Sequence, residues 1–188
     1  MLLQTTLVVI LPLVSIGLPH SRARGEFLLA KDRAGQVEIG MTIDALHTRY
    51  ERAQTRLVAH FPEGMFSPAL EIYLAGKRYK GHPGMTVGID KTGDWVVSNI
   101  SVKDSRFRTA RGIGVGSTLG EIRRAYRVNW IGFGEGPLMA NVDEVGMSFE
   151  LDLTRPSAAW YRTREQSLIP DSAKVVSVYV YHEPKVEG

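Results

Sequence analysis

The chain has 188 residues, 44% hydrophobic and 23% charged, with 19 glycines, 9 prolines, no cysteine and a formal net charge of +3. An ordinary apolar share, with neither charge nor Pro plus Gly dominating, excludes collagen-like, coiled-coil and disordered classes and predicts a folded globular domain. The missing cysteine excludes disulfides, zinc-thiolate sites, thiol catalysis and lipid attachment at a lipobox cysteine.

Residues 1–23 read as an export signal. Leu7 to Leu18 is a 12-residue apolar run, broken by Pro12 and followed by Ser21-Arg22-Ala23-Arg24. Crossing the hydrocarbon core takes about 20 apolar residues, so the run is too short to span and suits a cleaved signal. Ser21 and Ala23 are the small residues that signal peptidase reads, which puts the cut before Arg24 and the mature chain in the periplasm or outside the cell. The cut removes one charge, Arg22, and leaves 22 basic and 20 acidic residues, a balance that is no signature of nucleic-acid binding. Residues 24–35 read as a linker.

An internal repeat organises the remainder of the chain. Val37 to Tyr50 aligns at an offset of 76 with Ile113 to Tyr126, and both copies read G-x-T-[IL]-x-x-[LI]-x-x-x-Y. Phe61-Pro62-Glu63-Gly64 then answers Phe133-Gly134-Glu135-Gly136, Gly84 to Asp90 answers Gly146 to Asp152, and Val96 to Val102 answers Val175 to Tyr181. Four landmarks in one order predict a duplicated unit: residues 36–107, then residues 108–184 with an insertion at 153–173 and a tail at 185–188. Neither half is expected to bury its apolar face alone.

Each unit opens on a predicted helix. Thr42 caps the first, Asp44 stands in its first turn, and Ile43, Leu46 and Tyr50 form one face. In the second, Thr118 and Glu121 form a capping box, and Leu119, Ile122 and Tyr126 repeat the stripe. Period-2 segments follow at residues 70–74, 85–89, 96–102, 128–131, 147–151 and 175–181, with Lys91-Thr92-Gly93-Asp94 as a hairpin turn. The expected fold is α+β: two tandem helix-plus-antiparallel-meander repeats, with the helices packed on one face of the sheet.

A signal segment, G-M-T-x-x-x-L-x-x-x-Y, a β-meander and a second copy reading G-I-G-V-G-S-T-L-G-E-I-R-R-A-Y resemble the secreted tandem-repeat proteins related to β-lactamase inhibitor protein and the SmpA/BamE-type envelope lipoproteins. The resemblance spans most of residues 36–181. It implies a scaffold whose open sheet face or loops bind a protein partner, without enzymatic activity. The lipid-bearing cysteine of the lipoprotein branch is absent, and the shared motif transfers no inhibitory residue.

Catalytic and metal signatures are missing from the sequence. Gly112, Gly114, Gly116 and Gly120 match neither G-x-G-x-x-G nor a P-loop and read as tight turn and close helix packing. None of His20, His47, His60, His82 and His182 pairs at a helical metal spacing, and no serine lies in G-x-S-x-G or S-x-x-K. Asp44 and His47 share a helix face, as a metal-ligating or acid-base pair would, but a solvated capping turn explains them better. No catalytic residue, metal site or cofactor is expected.

Two segments stand out for binding. Lys103, Arg106, Arg108, Arg111, Arg123, Arg124 and Arg127 face two acids, Asp104 and Glu121, and form a candidate anionic-surface patch at the junction of the repeats. The insertion carries Arg155, Trp160, Tyr161, Arg162 and Arg164, residue types enriched at the energetic centres of interfaces, and these are the candidate partner-binding residues. The competing reading of that segment is a short amphipathic helix over residues 157–166, with both aromatics packed on the sheet edge. The expected function is an exported, non-enzymatic binding module of the bacterial cell envelope with a protein partner. The alternatives are an envelope hydrolase assembled from distant residues and a structural protein adhering to anionic envelope surfaces.

Overall fold

The computed structural model describes residues 25–60, 67–74, 81–134, 136–153 and 155–182. The export segment 1–23, the landmark at 61–64 and the tail 185–188 lie outside the described residues. The fold is mixed α and β and mostly antiparallel sheet.

Three strands open the described chain: β1 (Leu28–Ala30), β2 (Arg33–Ala34) and β3 (Val37–Glu38). Helix α1 (Ile43–His47) follows, then β4 (Thr55–His60), β5 (Ser67–Ile72), β6 (Met85–Thr92) and β7 (Asp94–Val102). After the short β8 (Arg108–Thr109) come helix α2 (Leu119–Ala125), β9 (Trp130–Phe133), β10 (Leu138–Val142), β11 (Met147–Leu151), helix α3 (Ala158–Thr163) and β12 (Val175–Tyr181). Residues 24–35, expected as a linker, hold β1 and β2 instead. They belong to a four-stranded sheet ordered β3-β2-β1-β8, in which β1 and β8 run parallel.

The large sheet has eight strands in the order β4-β5-β6-β7-β12-β11-β10-β9. Two consecutive meanders therefore meet where β7 lies antiparallel to β12, with Ser101 opposite Tyr179. Alternation along each strand sorts the side chains onto two faces. Thr55, Ile72, Met85, Val102, Val178, Phe149, Ala140 and Ile131 form one rung across all eight strands, each at most 5% exposed. One residue along, the rung Arg56, Glu71, Thr86, Ser101, Tyr179, Ser148, Asn141 and Trp130 looks the other way and is polar or aromatic and partly open to water.

The apolar face and the caps share one core. Leu46 of α1, Leu119 and Ile122 of α2, Trp160 of α3, and Leu29, Ala34 and Val37 of the small sheet belong to the same buried cluster as the members of that first rung from Ile72 to Ile131. The α1 and α2 starts are built as the sequence indicates. The Thr42 hydroxyl accepts the Ala45 amide, and Thr118 and Glu121 close a reciprocal capping box.

The two meanders carry the same irregularities. A register step between Gly88 and Ile89 leaves Ser98 as the extra residue on β7, and a step between Glu150 and Leu151 leaves Val176 as the extra residue on β12. The Gly40 amide donates to the Val97 carbonyl, and the Gly116 amide donates to the Val175 carbonyl, each at 2.7 Å. Val97 thus stands where Val175 stands, one residue on from the pairing of Val96 with Val175 expected from sequence. Val96-Val97 and Val175-Val176 are interchangeable by residue type, so hydrogen bonds rather than composition fix this register.

Candidate functional site: a groove open at one end of the sheet

Between α1, the β4-β5 pair and the β6-β7 hairpin lies a groove of about 800 Å³. Ile43, Leu57, Leu70, Ile89 and Trp95 supply its apolar wall, and Asp44, His47, Arg52, Lys91 and Asp94 its polar groups. The elements around it place each of these. The capping Thr42 starts α1 so that Asp44 and His47 share the groove side. Leu57, Leu70 and Ile89 project from the apolar face of the sheet. Trp95 follows the hairpin turn, where Gly93 adopts a positive φ of 98°.

Two large apolar side chains here meet water: Leu57 is 67% exposed and Trp95 is 46% exposed. His47 Nδ1 is buried without a hydrogen-bond partner among the described residues, a costly arrangement unless something else fills the site. Lys91 Nζ stands 5.9 Å from the Trp95 ring centroid, within cation-π range.

The insertion behaves differently from the expectation that its aromatics are contact surface. Ser157 caps α3 by accepting the Trp160 amide, and Trp160 is fully buried. Its ring meets Phe133 edge-on at 5.6 Å, while the Arg164 guanidinium stacks 4.5 Å from the indole. Trp160 is therefore a core anchor of the insertion and offers no surface to a partner. Tyr161 stacks on Phe133 with one side exposed, and Arg155, Arg162 and Arg164 are exposed.

Four members of the arginine-rich patch make structural contacts. Arg106 pairs with Asp104 at 2.6 Å and lies over the Phe27 ring. Arg108 donates to the Val115 carbonyl at 2.9 Å. Arg111 pairs with Glu144 at 2.7 Å, donates to the Ala125 carbonyl and lies over Tyr126. Arg123 pairs with Asp171 and donates to the carbonyls of Gln166 and Ile169, tying α2 to the insertion. Lys103, Arg124 and Arg127 are exposed.

On the polar face of the large sheet, Ser101 and Ser177 hydroxyls stand 3.2 Å apart and the Tyr179 hydroxyl donates to Glu150 at 3.4 Å. Burial, then the Glu150 charge, pushes the Tyr179 phenol above its ordinary value, so it stays a neutral donor. Among the described residues, no group of three His, Asp or Glu is placed to hold a metal ion, and no helix is long and apolar enough to cross a membrane.

The sequence showed Asp44 and His47 on one helix face, where they do line this groove, but not the groove itself. Ile43 read as a core stripe, and Leu57 lies in a strand whose alternation is too irregular to detect. The signal present was Trp95, a large aromatic just past a hairpin turn, where water rather than a core is expected.

The class these features define is a mixed fold built on an antiparallel sheet with short helical caps. A solved structure of this fold, that of the uncharacterized protein yfeY from Escherichia coli, is similar to the chain with a TM-score of 0.58 at 14% identity, covering 84% of this chain and 99% of that one. At that identity the likeness concerns the fold alone. No family model and no curated protein matches the chain.

Proposed function

We propose that the protein is an exported, non-enzymatic binding module of the bacterial cell envelope, made of one helix-plus-meander unit written twice, that holds a protein partner. The observation that carries the reading is the groove beside α1, where Leu57 and Trp95 remain in water on the sheet face that elsewhere carries the buried core. Exposed apolar side chains gathered in one concavity mark interaction sites rather than ordinary surface.

Support for the duplication comes from paired details: a capped helix before each meander, bulges at Ser98 and Val176, and matching amide bonds at Gly40 and Gly116. Support for export comes from the 12-residue apolar run at Leu7 to Leu18 and the small residues before Arg24. The motif's resemblance to the β-lactamase-inhibitor-protein and SmpA/BamE-type families fits a scaffold with a binding role.

The test is co-purification from envelope extract with a carboxy-terminally tagged chain. A specific protein should be recovered with the native chain and lost with Leu57→Asp or Trp95→Ala, both of which alter exposed side chains and leave the melting temperature within a few degrees. Recovery of the same protein by both variants would remove the groove as the contact. Mass measurement of the tagged chain from the periplasmic fraction should give a species beginning at Arg24.

A further inference from the structure

The two ends of the large sheet can be compared position by position through their registers. Leu57 of β4 corresponds to Ile131 of β9, Leu70 to Ala140, Ile89 to Leu151, and Trp95 to Ala173. On the helices, Asp44 and His47 correspond to Gly120 and Arg123. Leu57 is 67% exposed, yet Ile131 is 3% exposed. The end at Ile131 is also the end that carries the insertion. At the β9 end Trp160 and Ile169 join the buried core, and the insertion's return segment bonds to α2 through the Asp171 carbonyl to the Gly120 amide at 3.0 Å and through the carbonyls that Arg123 holds. The protein thus contains, at one end, a filled version of the groove that stands open at the other.

We infer that the open groove receives a short helical segment of a partner protein that presents a tryptophan-like anchor over Leu57, Leu70 and Ile89, in the manner of this chain's own α3. The inference rests on the proposed binding role and names its partner class. Charge fixes the other end of the segment. Asp171 lies against Gly120, where a glycine leaves room for it, and its carboxylate pairs with Arg123. Asp44 occupies the equivalent place in the open groove, so an acidic residue there would face a carboxylate and a basic one would pair with it. The occupant is therefore a helix with an aromatic anchor, followed by a Lys or Arg for Asp44.

The probe is a fluorescently labelled synthetic peptide with the sequence of residues 155–171 and Asp171→Lys, titrated with the chain lacking residues 1–23 and read by anisotropy. Saturable binding is expected, weakened at least about tenfold by Trp160→Ala in the peptide and by Leu57→Asp in the protein, with Trp95→Ala as a second protein variant. The peptide keeping Asp171 should bind several-fold more weakly, and Asp44→Asn should erase that difference. No binding, or binding indifferent to Leu57→Asp and to the peptide's tryptophan, overturns the inference. If the envelope partner is nevertheless lost with Leu57→Asp, the binding role stands and only this partner class fails.

Discussion

Asp104 illustrates how a charge in a basic segment is used for structure. Its carboxylate accepts the Arg106 backbone amide at 2.9 Å and the Arg106 guanidinium at 2.6 Å, and these hydrogen bonds hold it below the usual carboxylate range. A group whose folded pKa is depressed contributes stability that is complete above its unfolded value, about 4, and is lost as pH falls through the folded value. Asp104→Asn should therefore cost about 1 kcal/mol at neutral pH, a figure kept low because Arg106 is half exposed. The loss should shrink as pH falls below about 4 and through the lowered folded value. Urea midpoints across that range check it, and a loss independent of pH would contradict the ion-pair account. The local chemistry of the caps was legible from sequence because a hydroxyl and a carboxylate three residues apart meet within one turn. Arg123 was not. It lies off the apolar stripe and reads as solvated, but its partners Gln166, Ile169 and Asp171 arrive from a segment more than forty residues on, at separations of 43 to 48 positions.

Among the elements, α3 is where a local reading and a tertiary one diverge. Trp160, Tyr161 and nearby arginines are the composition of an interface, and they are equally the composition of a helix nailed down by one buried ring. Which holds depends on Phe133, which no local pattern brings alongside. Trp160→Ala should destabilise the fold by about 3–5 kcal/mol, the range for removing a buried large aromatic. Tyr161→Ala, at a half-open position, should cost about 1 kcal/mol. Chemical denaturation separates the two, and equal effects would argue against Trp160 as anchor. Strands β6, β7, β11 and β12 could be read from alternation because they are long and one face is dry. Strands β1, β2, β3 and β8 are two or three residues each, too short for any period to register, and residues 24–35 accordingly looked like a linker. Strand β10 was also missed, because Leu138, Met139 and Ala140 are all buried and leave no alternation to find.

At the scale of the whole molecule, the halves are held by two pairings that cross between them: β7 against β12 in the large sheet, and β1 beside β8 in the small one. A fragment of residues 25–107 would expose the β7 edge, with its buried Ile100 and Val102, and would leave β1 without its parallel neighbour. That fragment should be unfolded or aggregated by circular dichroism and one-dimensional NMR, whereas residues 25–182 should fold cooperatively. A well-dispersed spectrum from the fragment would show that each half is self-sufficient. The β7-β12 seam has a further implication. On the duplication proposed above, two separate copies of a single-unit ancestor would meet through the same antiparallel contact across a dyad, and in such a homodimer every mutation would appear at both ends. Fusion into one polypeptide would lift that constraint, leaving one terminus of the sheet free to acquire a permanent internal plug while the other keeps the opening that the proposed partner enters.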